Sequence, residues 1–258
     1  MQFLRMSWIN FKGQRAAFNL EEFLLLETMY PFLTLVFYCV MAGYAYQTTN
    51  LTDWVLGNAF LLCTNICVFS LGTSFVGERY FGRIRSIMVG EKSKIMIVLE
   101  KGFIAGLVSM LTTFTGLLLG CLVFGIELKK MPLLELLVVL VIAMFAATGF
   151  GMFLSAIGLV SDQMHLILNM VQYILLIFTG ANFPISQLPI AVRWISWMLP
   201  LSRSIQVSRE VVKGSTLLSH WGMLVAELLV GVCYLVLAAG LMKWAERKAI
   251  KKGTMDLF

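Results

Sequence analysis

Six stretches of this chain, at about 28–46, 55–76, 103–124, 133–160, 164–182 and 222–243, are long and almost wholly apolar. A helix rising 1.5 Å per residue needs about 20 such residues to cross the roughly 30 Å hydrocarbon core of a bilayer. In lipid the backbone groups of such a run need internal partners, so each run must be a helix. Of the 258 residues, 59% are hydrophobic and 13% charged, against about 45–50% and about 25% in a soluble domain. One globule of this length cannot bury that surplus. The pattern predicts an all-α membrane protein with six transmembrane helices in a single domain over residues 1–258.

Two segments outside the six runs have their own character. Residues 1–27 place Leu4, Trp8, Phe11 and Phe18 at helical spacing, with Arg5, Lys12 and Arg15 free to face water. That predicts an amphipathic helix at the membrane interface, with a helix buried against protein as the competing reading. The first long apolar run begins near Phe23 with no small-residue cleavage site after it, so the region reads as mature structure. In residues 184–214, Pro184, Pro189 and Pro200 cut an apolar stretch into pieces too short to span. Trp194 and Trp197 beside Arg193 suit an interface. The segment reads as a broken, re-entrant hairpin.

The formal net charge of +6 raises nucleic acid as a partner, but the basic residues lie between apolar blocks and form no patch. They sort by side instead. With six spans, fourteen of the twenty Lys and Arg fall with the N-terminus, the 77–102 loop and the C-terminal tail, and six fall on the opposite side. The positive-inside rule then places both termini in the cytoplasm of a cell-membrane protein.

Enzyme signatures are sparse. His165 and His220 stand far apart, beside no acidic cluster, and read as polar residues at a membrane boundary. The five cysteines all lie in apolar blocks and read as small packing residues. Gly90-Glu91-Lys92-Ser93 lacks the glycines and the Gly-Lys pair of a phosphate-binding loop. No cofactor or metal is therefore expected on this chain. Glu227 is the clearest acid inside a span, placed to face a cavity or to hydrogen-bond a neighbouring helix. Asn58, Asn65 and Gly72 recur every seven residues on the second run, and Asn169, Gln172, Tyr173 and Leu176 share a face of the fifth. Such stripes either hold helices together or border a pathway. The pairs Gly102/Gly106 and Gly116/Gly120 read as close helix packing.

Three segments in order carry a resemblance. They are Gly77-Glu78-Arg79-Tyr80-Phe81-Gly82-Arg83-Ile84-Arg85 with Lys101 downstream, then Asn182-Phe183-Pro184 with Leu188-Pro189, Pro200 and Arg209, and last the basic tail Glu246-Arg247-Lys248 with Gly253. Together they resemble the type-2 ABC transporter permeases over nearly the whole chain. The chain departs from the commonest family pattern at Tyr80, Arg83 and Gly90. The resemblance implies a permease that pairs with a second copy or a paralogous permease and docks a separate ABC ATP-binding subunit, which would carry ATP and Mg. It also implies that 77–102 holds a cytoplasmic coupling helix with Glu78, Arg79, Gly82, Arg83 and Arg85 on or beside it. Pro184, Pro189 and Pro200 would then mark an extracellular re-entrant gate.

The sequence thus points to the transmembrane subunit of an exporter for an amphipathic or lipophilic cargo, surrounded by lipid and binding no nucleic acid. Asn58, Asn65, Asn169, Gln172, Tyr173 and Phe183 are the expected pathway residues. Export of a lipid-linked glycan, or a non-transporting assembly or immunity protein, are the alternatives.

Overall fold

The computed structural model describes residues 2–14, 29–84, 87, 90, 92–127, 131–161 and 163–252, and these form helices and turns with no strand. In chain order the helices are α1 (Gln2–Gln14), α2 (Tyr30–Tyr46), α3 (Thr52–Tyr80), α4 (Lys94–Val123), α5 (Leu133–Ile157), α6 (Met164–Phe178), α7 (Ile190–Met198), α8 (Ser202–Val212) and α9 (Trp221–Lys252).

Four helical stretches, in α3, α4, α5 and around α9, are long and apolar enough to cross a membrane. α2 and α6 are apolar but hold 17 and 15 residues, or about 25 and 22 Å of rise. Residues 15–28, just before α2, lie outside the described residues, and with them the second half of the expected interfacial helix. α6 stops before the expected 182 because Gly180 takes a φ of +83°, a left-handed conformation that ends a helix. α3 and α4 instead run beyond their apolar cores, leaving 81–93 as the connection where the sequence predicts a loop over 77–102.

α1 packs through a different face from the one its large side chains indicate. Ser7 and Phe11 are buried, Phe3 meets Phe103 of α4 edge-on at 5.4 Å, and Leu4 and Trp8 stay exposed. Spacing of i, i+4 and i+8 puts Phe3, Ser7 and Phe11 on one stripe. Small Ser7 lets the helix approach α4, so Phe11 joins the protein core and Leu4 and Trp8 remain for an apolar solvent.

α5 and α9 form the central pair. A Cβ added at Gly231 of α9 would lie 2.9 Å from the Cα of Ala146 on α5, so the two backbones touch directly. The same close approach accounts for the sequence's small-residue pairs: Gly102 and Gly106 of α4 face Thr148 of α5, and Gly120 faces Val55 of α3. Cys39, Cys63, Cys67 and Cys121 are buried as packing residues, whereas Cys233, expected to pack likewise, is exposed on α9.

Pro184, Pro189 and Pro200 each fall where the chain leaves or enters a short helix between α6 and α9. α7 and α8 have 9 and 11 residues, about 14 and 17 Å of rise and too short to span. The prolines thus cut this segment into short helices, as the sequence predicts.

Candidate functional site

The middle of α3 is not regular. Residues Asn65–Ser70 form a π-helical turn, an irregularity common at functional sites. Opposite this turn, α2, α3 and α6 enclose a cleft of about 160 Å³ whose walls include Asn58, Asn65, Gln172 and Tyr173. Two polar stripes more than 100 residues apart in sequence therefore meet. Tyr30 and Tyr38 of α2 complete the wall and had no distinguishing sequence signal.

The cleft has a floor and a roof. At the floor, the Cβ that Gly72 lacks would come within 2.6 Å of Leu168 Cδ2, so α6 closes onto α3 there. Asn169 adjoins this contact, one turn short of Gln172. It is exposed, its amide donating to the carbonyl of His165 at 2.9 Å, and it does not line the cleft. At the roof, Asn58 Nδ2 donates to Asn182 Oδ1 at 2.9 Å, and Trp54 Nε1 donates to the Asn182 carbonyl at 3.3 Å. Phe183 is turned out and half exposed beyond the roof, outside the cleft that it was expected to serve.

Above the roof, the hairpin encloses a second, charged cavity of about 470 Å³ walled in part by Asp53, Arg193, Arg209, Glu210 and Lys213. Arg209 of α8 holds it together. Its guanidinium donates to the carbonyls of Asp53, Gly180 and Ala181 at 3.0, 2.8 and 2.7 Å, tying the start of α3 to the frayed end of α6. Arg193 likewise ties α7 to the turn before it through the carbonyls of Leu188 and Ser186.

Glu227 of α9 is fully buried beneath this hairpin. Leu201, with φ +75°, donates its backbone N–H to the carboxylate, and Arg203 lies 3.5 Å away. An acid there caps the start of α8 and faces the positive end of its dipole. Of the two roles open to Glu227 in the sequence, the structure shows the bond to a neighbouring helix. Pro200, which makes the corner, is buried, whereas Pro184 and Pro189 are exposed.

At the other end of α3, the expected coupling residues mostly bind one another. Glu78 accepts from Lys101 at 2.8 Å and pairs with Arg83 at 2.8 Å, and Lys101 is buried over the ring of Phe75. Arg79 donates to the Leu159 carbonyl at 3.4 Å. Gly82, at φ +68°, ends α3: its N–H reaches the Arg79 carbonyl, and that of Arg83 reaches Glu78. This is the paired closure of a glycine-stopped helix. Arg85 lies outside the described residues. The side chains presented outward are Tyr80, Phe81 and part of Arg83; sequence reasoning quoted the two aromatics within the motif but gave them no docking role.

A bundle of long apolar helices, with a polar cleft inside it and short proline-broken helices at one end, defines a helical membrane protein. The family model of the ABC-2 type transporter matches residues 2–212, and the chain belongs to that family. It is also 23% identical over 195 residues to the inner membrane transport permease YhhJ of Escherichia coli (strain K12), and equally to YhhJ of Shigella flexneri. The match covers 73% of this chain and 52% of each relative, so the chain spans about half the length of the curated relatives it matches.

Proposed function

We propose that this chain is the membrane-spanning subunit of an ATP-driven exporter. In this reading α2 to α6 and α9 supply six spans, both termini are cytoplasmic, and the hairpin closes the outer end. A separate ABC ATP-binding subunit carries ATP and Mg and docks at Tyr80, Phe81 and Arg83. A second permease copy covers the exposed apolar surface around the cleft mouth, where Tyr30, Phe37, Met170 and Tyr173 stand free. The cargo is amphipathic or lipophilic. One observation carries the reading: the stripes of α3 and α6 converge on one cleft, roofed by the Asn58–Asn182 bond.

The test replaces Asn65 and Gln172 with Leu, singly and together, and measures export of several chemically different compounds beside expression and dimer yield. A pathway role predicts an altered order of exported compounds at unchanged dimer yield. Parallel loss for every compound, tracking lower dimer yield, would show that the stripes only hold helices together, as in a non-transporting assembly protein.

A further inference from the structure

The cleft has a chemical bias that its shape alone does not convey. Asn58, Asn65 and Gln172 bring three carboxamides, Tyr30, Tyr38 and Tyr173 bring three phenols, and none of the described residues lining it is charged. Asp53, Arg209 and Lys213 lie across the roof, in the hairpin cavity. Glu78, Arg83 and Lys101 lie at the far end of α3. Among the described residues, charge is thus available at both ends of the bundle and missing from the cleft between them.

We infer that this cleft takes an uncharged, hydrogen-bonding group of the cargo, such as an amide or a hydroxylated ring, and discriminates against a charged one. The inference rests on the transport reading above and specifies its cargo. An ion entering an uncharged cleft within the bundle gives up hydration without meeting a counter-charge. A neutral amide or hydroxyl exchanges its bonds to water for a bond to Gln172. The half-buried Gln172 amide has no hydrogen-bond partner among the described residues, so it is available for that exchange. The tyrosine rings offer flat faces to a neutral ring.

The experiment uses the full chain in lipid nanodiscs and three fluorescent probes with one fluorophore and one dodecyl chain. Their head groups are a primary amide, a carboxylate and a trimethylammonium. The amide probe is expected to bind saturably and about ten-fold more tightly than either charged probe. Gln172→Leu should weaken the amide probe about five-fold, and Gln172→Glu should bring the ammonium probe level with it or better, with both variants eluting as the native protein does. Saturable binding that Gln172 variants alter but that favours a charged probe would overturn the inference and leave the transport reading standing. Binding of all three probes that Gln172 variants leave unchanged, or no saturable binding, would overturn both.

Discussion

Arg209 occupies the position where the chain has most backbone to satisfy and least regular structure to do it. Gly180 and Ala181 have left α6, and without the guanidinium their carbonyls would lose these partners. Lysine keeps the charge but lacks the planar fork that reaches three acceptors at once. Arg209→Lys should therefore cost about 2–4 kcal/mol, and in a chain of this size should lower the thermal midpoint in detergent by about 5–12 °C. An unchanged midpoint would show that the clamp is not needed. Sequence reading counted Arg209 as one more loop charge and a family marker; its three carbonyls, 28 to 156 positions away, gave no local signal.

At the scale of elements, the α5–α9 seam depends on Gly231. A side chain there must displace the Ala146 backbone or the Phe145 ring, an overpacking that typically costs about 1–3 kcal/mol. Gly231→Val should lower the midpoint, while Gly222→Val, at a glycine of the same helix with open space around it, should change it far less. Equal effects would mean that helix propensity, and not the seam, sets the cost. Hydrophobic block length made the helices and the proline-cut hairpin legible beforehand. Helix ends were less legible, because α3 and α4 continue through polar residues that pair across the helices, as Glu78 does with Lys101. The cleft was legible in part: Asn58, Asn65 and Gln172 stand out as amides in apolar runs, whereas Tyr30, Tyr38 and Trp54 look like ordinary membrane aromatics. Asn169 carried the same signal and failed it, since the Gly72–Leu168 contact closes the helices one turn too early. On α1, the burial of small Ser7 and not the positions of large residues decided the packing face.

At the scale of the whole molecule, the proposed topology sets fourteen of the twenty basic residues on one side of the membrane and the hairpin on the other. The charge distribution predicts cytoplasmic termini and an outward Thr48–Asp53 turn. With Thr49→Cys and Arg247→Cys placed singly in a background lacking other cysteines, a membrane-impermeant thiol reagent added to intact cells should label the first and spare the second. The reverse pattern would invert the protein in its membrane.

The central claim is that this chain moves cargo only when a separate ATP-binding subunit drives it. Purified chain is reconstituted into proteoliposomes with and without that subunit, and movement of the dodecyl amide probe is followed on adding ATP. The account predicts probe movement with both proteins and ATP, none with the chain alone, and a strong reduction in Glu78→Ala, which frees Lys101 and Arg83 from the joint between α3 and α4. Equal movement by the chain alone, without ATP or partner, would contradict it.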